Sequence, residues 1–262
     1  MNTLGQTRYG PFLYNAKDVY IGRALELYGE AHQLELEFLQ SIVGEGGYIF
    51  DVGANIGGHT VPLARHVGPK GRIFAFEPQR IVFQLLCANL ALANLENVEA
   101  FHAALGSSRG EVLIPEIDYE AEANYGGVEL EQFSAGLPVL QRTLDEFAGL
   151  PRVDLIKIDV EGMERDVLEG GKQLIAAFRP LMYVENDRDA KSAALIEALF
   201  ALEYRLFWHL PPLFNPENFR KNRDNVFGPI LSWNMLCVPR ESVVTVTGFR
   251  EIRDPGDGPF SQ

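Results

Sequence analysis

Cysteine is almost missing from this chain of 262 residues: only Cys87 and Cys237 occur, far apart, with no CxxC pair and no Cys/His cluster. That excludes a disulfide framework and the usual zinc-ligand spacings, and two isolated thiols suit a reduced, cytoplasmic setting. Basic residues are scarce as well. Lys+Arg number 23 against 36 Asp+Glu, which leaves a net charge of −13 and a pI near 4.9. A chain this negative is poorly suited to neutralising many phosphates, so nucleic acid is not expected as a partner, nor is an anionic membrane surface. No apolar run reaches the roughly 20 residues of a spanning helix. The longest uncharged stretch, 225–239, is interrupted by Gly228, Pro229 and Asn234. Residues 1–10 lack the apolar segment of a secretory signal. The expectation is a cytoplasmic protein with no stable membrane insertion.

What is present is an ordinary globular composition, 47% hydrophobic and 23% charged, with enough chain for one large core. A helix is predicted over 31–43, with Leu34, Phe38, Leu39 and Ile42 on one face. A regular alternation follows: strand 48–52, helix 58–67, strand 72–76, helix 79–94, strand 98–105. It pauses over 115–141, where six acids (Glu116, Asp118, Glu120, Glu122, Glu129, Glu131) occur without Lys or Arg. Such a stretch is either a cover over a site or a solvated loop. Strand 154–159, helix 163–177, strand 181–185 and helix 190–202 resume the pattern, and 204–247 closes it with two antiparallel strands around a Pro/Asn-rich insert. Strand–helix–strand units of this length predict a parallel sheet covered on both faces. The division expected is an N-terminal extension and helix over 1–43, one domain over 44–247 and a C-terminal tail over 248–262.

The segment Tyr48–Gly58 runs from an apolar strand into a glycine-rich turn and then a helix, with Asp51, Gly53, Asn55 and Gly57 in the turn region. Glycines there permit a tight turn and close ligand approach, and a helix N-terminus offers free N–H groups. Glu77 stands at the end of the next strand, where a carboxylate can accept both hydroxyls of a ribose. The dinucleotide fingerprint G-x-G-x-x-G would need glycine at position 55, which is Asn, and it disfavours Asp51 beside a pyrophosphate. S-adenosylmethionine has an amine and a ribose but no phosphate, so Asp51 with Glu77 suits it better. A nicotinamide-dependent oxidoreductase and a non-catalytic binding protein are the alternatives.

The runs FDVGANIGGHT, GRIFAFEPQ, HAALGS, TLDEF, DLIKIDVEGMERDVLEGG and RPLMYVEN resemble the FkbM-type S-adenosylmethionine-dependent methyltransferases over residues 30–187. The resemblance implies a Rossmann-like class I methyltransferase, an α/β fold whose seven-stranded, mostly parallel sheet has an antiparallel last strand. It implies methyl transfer to a hydroxyl of a sugar, polyketide or other small metabolite. By position, Asp51, Gly53, Asn55 and Gly57 would form the cofactor loop, Thr60 the helix start, Glu77 the ribose contact, and Ala103 with Ala104 the adenine neighbourhood. Glu30 and His32 stand where the family carries an acid before its first helix.

A second segment, Ile156–Gly162, places Asp159 and Glu161 on one side of a strand end, with Lys157 below them as a counter-ion. Glu185, Asn186 and Asp187 end a neighbouring strand, so several acids are expected to converge. In-line methyl transfer requires the acceptor oxygen to be positioned and deprotonated. Asp159 is the first candidate for base or positioning residue and also for a cofactor contact. His209 is the other base candidate. Glu161, Glu185 and Asn186 are candidate acceptor contacts, while Glu164 reads as a structural acid of a helix's first turn. A divalent cation on Asp159, Glu185 and Asn186 is a variant that oxygen donors permit, though no metal is expected. The cluster Arg220–Arg223 is the one dense basic patch, suited to an acceptor phosphate or simply to solvent. The partner expected is a small molecule or glycan precursor, and the apolar-aromatic terminal segments suggest a homodimer.

Overall fold

Five parallel strands form the middle of the molecule in the computed structural model, which describes residues 2–127 and 135–260. The chain opens with a hairpin of β1 (Asn2–Thr7) and β2 (Gly10–Asn15), then α1 (Ile21–Tyr28) and α2 (Gln33–Ile42). Next come β3 (Tyr48–Val52), α3 (Thr60–Val67), β4 (Arg72–Phe76), α4 (Arg80–Leu92) and β5 (Val98–Phe101). A small separate sheet holds β6 (Ala104–Leu105), β7 (Gly110–Ile114) and β8 (Leu137–Arg142). After a 3-10 turn at Leu144–Phe147, the chain continues through β9 (Leu155–Ile158), α5 (Glu164–Glu169), α6 (Lys172–Phe178), β10 (Leu181–Glu185) and α7 (Asp189–Ala201). It closes with β11 (Tyr204–His209), β12 (Asn234–Pro239) and β13 (Arg250–Ile252).

The central sheet has the order β13-β11-β12-β10-β9-β3-β4-β5. β5, β4, β3, β9 and β10 are parallel, and β12 lies antiparallel between β10 and β11. These seven strands are the expected frame. An eighth, β13, lies outside it, pairing antiparallel to β11 through Leu206 and Ile252. Residues 250–252, expected within a tail, therefore belong to the sheet, and the burial of Ile252 over the strand edge explains why.

The middle strands read as unbroken apolar runs because both faces are covered. Tyr183, Ile49 and Leu63 belong to one core, while Phe50, Ile156 and Leu174 belong to the other. Phe50 stacks on Phe74 at 5.0 Å between ring centroids, and Phe147 meets Phe50 edge-on at 5.3 Å. Such pairs add about 0.5–1.5 kcal/mol beyond their buried area.

Three local departures have physical causes. Residues 21–28, ahead of the first predicted helix, form α1, whose Ala24, Leu25 and Tyr28 are buried; Gly29, at φ +70°, ends it after only eight residues. The helix expected over 163–177 is split at Gly170–Gly171, because a Cβ at Gly170 would lie 2.1 Å from the Gly106 carbonyl oxygen. Strand 98–105 is split because Ala104 and Leu105 pair with β8 instead of β4.

Candidate functional site

The carboxyl ends of β3, β4, β9 and β10 open into one cleft with two joined compartments. The inner compartment is a mostly apolar slot of roughly 470 Å³ between Phe76, Pro78, Ala103, Ala104, Leu105 and Met163. The outer one spans roughly 1420 Å³ including its open mouth, and is walled by His32, His59, Lys157, Arg188, Leu231 and Trp233 among others. Gly53, Glu77, Gly126, Asp159 and Glu161 line both.

The glycine turn is fixed from both sides. Gly53 and Ala54 donate their N–H groups to the Phe76 carbonyl at 3.0 and 2.9 Å, and Asp159 N–H donates to the Val52 carbonyl at 3.0 Å. Gly53 has φ +81°, and a Cβ there would stand 1.7 Å from the Asp159 carbonyl oxygen. No other residue type permits the ends of β3 and β9 to meet this closely. Beneath the turn, Asp51 pairs in register with Lys157 of β9. Its Oδ2 accepts from Thr60 Oγ1 at 2.6 Å, and its Oδ1 lies 3.6 Å from Lys157 Nζ. Asp51, Gly57 and Thr60 do not line the cleft. The amine that Asp51 meets belongs to Lys157, so its part is to shape the turn from below.

Glu77 sits at the junction of the compartments, only 4% exposed. Its Oε2 accepts from Asn55 N–H at 3.0 Å and its Oε1 from Gln79 N–H at 2.8 Å, so the carboxyl is aimed before any ligand arrives. Burial, with Asp159 and Asp51 adding like charge, raises its pKa to about 7 against the opposing backbone bonds. Asn55 holds φ +48° and Ala104 lies in the apolar slot.

Past β9, Asp159 and Glu161 both face the cleft. Lys157 Nζ donates to Asp159 Oδ2 at 3.1 Å, and Arg188 pairs with Glu161 and with Asp187. Glu185 joins them from β10: carboxylate oxygens of Asp159, Glu161 and Glu185 lie within 4.8 Å of one another. Burial, then the charge of Asp159, pushes Glu161 up to about 8 and Glu185 well above the usual carboxylate range. This trio is the oxygen set that could gather round a hard cation. Asn186 is not part of it: its side chain donates to Ser192 Oγ at 2.9 Å and to Met235 Sδ at 3.4 Å, outside the cleft. Glu164 accepts from the Val160 and Gly162 N–H groups and is structural, as expected.

His209 is also outside the cleft. It packs between Phe38 and Phe249, with ring centroids at 4.5 and 4.8 Å, and its Nδ1 shares a 2.8 Å hydrogen bond with Tyr183 Oη. A base must reach its substrate, and this ring is enclosed by aromatics instead. Two histidines that do line the outer compartment are His32 and His59, joined by the buried Glu35 of α2. Sequence reasoning passed over Glu35 and His59. The usable signal was an acid on the buried face of α2, next to Leu36 and Leu39. Glu30, by contrast, is structural, bonded to Arg8, Asn215 and the Phe219 N–H.

The described part of the acidic stretch lies beside the cleft. Gln79 Nε2 donates to the Tyr125 carbonyl at 2.7 Å, Val19 N–H to Ala123 at 3.1 Å, and Gly126 lines both compartments. Glu129 and Glu131 fall outside the described residues. The basic patch lies away from the cleft, with Arg220 donating to the Gln6 carbonyl of the hairpin.

The sequence profile of the methyltransferase FkbM domain matches residues 51–206, which hold the turn, Glu77 and the acid trio. The chain belongs to the FkbM methyltransferase family. Among its curated relatives, methyltransferase sdnD of Sordaria araneosa is 34% identical over 155 residues, 47% of this chain and 60% of its own length. The 2-O-methyltransferase NoeI of Sinorhizobium fredii is 26% identical over 158 residues, covering 54% of this chain and 64% of NoeI. The hexuronic acid methyltransferase AglP of Haloferax volcanii is 31% identical over 150 residues, 57% and 59%. This FkbM chain thus spans about three-fifths of those relatives. A solved FkbM methyltransferase from Methylobacillus flagellatus shares the fold at TM-score 0.52 and 16% identity, over 74% of this chain and 44% of that one. Among the described residues, no helix is long and apolar enough to cross a membrane.

Proposed function

We propose that this protein transfers a methyl group from S-adenosylmethionine to a hydroxyl oxygen of a small molecule or glycan precursor. The observation that carries the proposal is Glu77: a buried carboxylate, held by two backbone N–H groups, at the junction of an apolar slot and a polar chamber. An adenosine-bearing ligand needs that combination, with the flat base in the apolar slot beside Ala104 and the ribose hydroxyls donating to Glu77. Gly53 and Asn55 supply close backbone approach, and Asp159 faces the same space. S-adenosylmethionine, when bound, supplies an electrophilic methyl group on sulfur.

The residues around the outer compartment would then exclude water and orient the acceptor. Asp159, anchored by Lys157, is the positioning residue for the acceptor hydroxyl. Burial and the charge of Asp159 favour the protonated forms of Glu161 and Glu185, which can then donate hydrogen bonds to it. The insert 210–233 supplies the apolar wall; it is braced by Leu213 N–H on the Ile230 carbonyl at 3.1 Å and by Asn186 N–H on the Trp233 carbonyl at 2.8 Å. Oxygen as the acceptor is supported by the relative named a 2-O-methyltransferase, and a sugar-like acceptor also by the one named for hexuronic acid. A nicotinamide cofactor fits less well, since Lys157 and Arg188, the only Lys and Arg among the described lining residues, are already paired with acids and leave no cation for a pyrophosphate. A cytoplasmic setting belongs to the same proposal, supported by two unpaired thiols.

Titration calorimetry with S-adenosylmethionine and, separately, with NAD tests the proposal. Saturable binding of S-adenosylmethionine and none of NAD is expected. NAD binding without a response to S-adenosylmethionine would overturn it.

A further inference from the structure

The outer compartment contains a histidine pair that the acid trio does not explain. His32 precedes α2 in the left-handed region, at φ 52°, and His59 precedes α3. Their ring centroids are 5.5 Å apart, and both line the cleft. Between them lies Glu35, 4% exposed, with Oε1 3.2 Å from His59 Nε2 and Oε2 3.9 Å from His32 Nδ1. Asn234 Nδ2 donates to that second oxygen at 3.2 Å.

The two rings are not equivalent. His59 turns Nε2 to the carboxylate, and its side chain is 11% exposed. His32 turns Nδ1 to the same carboxylate, leaves 27% of its side chain open, and its Nε2 takes part in no hydrogen bond among the described residues. At 3.9 Å this is a charge contact, longer than a hydrogen bond; the negative charge beside Nδ1 favours the neutral ring's proton there and leaves Nε2 as an acceptor.

We propose that His32 is the base that receives the acceptor's hydroxyl proton, biased toward the required tautomer by the nearby charge of Glu35; this rests on the methyl-transfer function proposed above. The acceptor oxygen bonds to the methyl carbon as the carbon–sulfur bond breaks and its electron pair stays on sulfur. The hydroxyl proton passes to His32 Nε2, and Glu35 stabilises the imidazolium so formed.

The surrounding charges agree with that role. Burial lowers the His32 pKa below its ordinary value; Glu35 and Asp159 oppose this, while His59 and Lys157 reinforce it. The ring is therefore neutral and able to accept at neutral pH. Against its own burial, Glu35 is held at about 2 by His59, His32 and Lys157, so its charge is permanent. The trio is less suited: Asp159 is engaged by Lys157, Glu161 by Arg188, and burial favours the protonated form of Glu185.

The test uses the full-length wild type with H32Q, H32N and E35Q. Nitrogen-15 NMR of the ligand-free protein should show His32 neutral at pH 7 with its proton on Nδ1, and E35Q should lower its titration. Calorimetry with S-adenosylhomocysteine should show affinities within about twofold of wild type for all three variants. With S-adenosylmethionine and water as the probe acceptor, methanol release should fall about 100-fold in H32Q and H32N. The wild-type rate should rise with pH through the His32 titration, and the variants should lose that rise. A charged His32 at pH 7, a proton on Nε2, or unchanged methanol release in both folded variants would overturn the assignment. Failure of the wild type to bind S-adenosylhomocysteine would instead count against the methyltransferase proposal, and the NMR result would stand apart from it.

Discussion

Lys157 is the residue on which the site's charge balance turns. It is 2% exposed and lies 3.1 Å from Asp159 and 3.6 Å from the fully buried Asp51. Burial disfavours its charge, but Asp159, Asp51 and Glu35 together outweigh that and hold the ammonium well above its ordinary pKa. Lys157→Met should therefore cost about 3–5 kcal/mol, since it strands a buried carboxylate, and urea unfolding would measure the loss. A cost below 1 kcal/mol would mean that the Lys157 ammonium does not compensate the buried Asp51. At this scale the sequence was partly legible. The types and spacing of Asp51, Lys157 and Asp159 were visible, and so was the idea of a counter-ion. The parallel register that puts Asp51 directly beside Lys157 was not, because it depends on which strands become neighbours. His209 failed for the same reason: its aromatic cage comes from Phe38 of α2 and Phe249 near β13, far away in sequence.

Elements were legible where periodicity was long and obscure where tertiary contact decided. The strands Tyr48–Val52, Arg72–Phe76 and Leu181–Glu185 lie where their apolar runs place them, since both faces of a central parallel strand are buried. α1 was missed because it is only eight residues long and carries Gly22 in its first turn; its stability comes from burying Leu25 and Tyr28. The glycine turn after β3 is the element that makes the cleft. Gly53→Ala places a methyl group against the Asp159 carbonyl and demands a φ of +81° from alanine. It should lose about 1–3 kcal/mol from backbone conformation alone, with more from the clash, and should abolish donor binding. Thermal unfolding and calorimetry on the same preparation would check both. Retained binding at wild-type affinity would show that the turn is not the ligand cradle.

For the whole molecule, three acids of the cleft govern how stability responds to pH. Glu77, Glu161 and Glu185 have folded pKa values raised above their unfolded ones, mainly by burial. The folded state then binds more protons than the unfolded state, so the contribution of Glu77 is lost as pH rises through about 7 and that of Glu161 through about 8, with Glu185 acting in the same direction. Burial lowers the pKa of His32 and His209, and their contribution is lost in the opposite direction, as pH falls below about 6.5. The ligand-free protein should accordingly be less stable at pH 8 than at pH 6.5, as read by denaturant midpoints. Greater stability at pH 8 would mean that Glu77, Glu161 and Glu185 are solvated.

The central claim is that the Glu77 carboxylate holds the ribose of the methyl donor. It is tested most directly by the affinity of S-adenosylhomocysteine for wild type and Glu77→Gln between pH 5.5 and 8.5. Because Glu77 titrates near 7 before the ligand binds, wild-type affinity should rise with pH and level off above that value. Glu77→Gln should bind at least tenfold more weakly and lose the wild-type rise. Equal affinity and equal pH dependence in the two proteins would contradict the account.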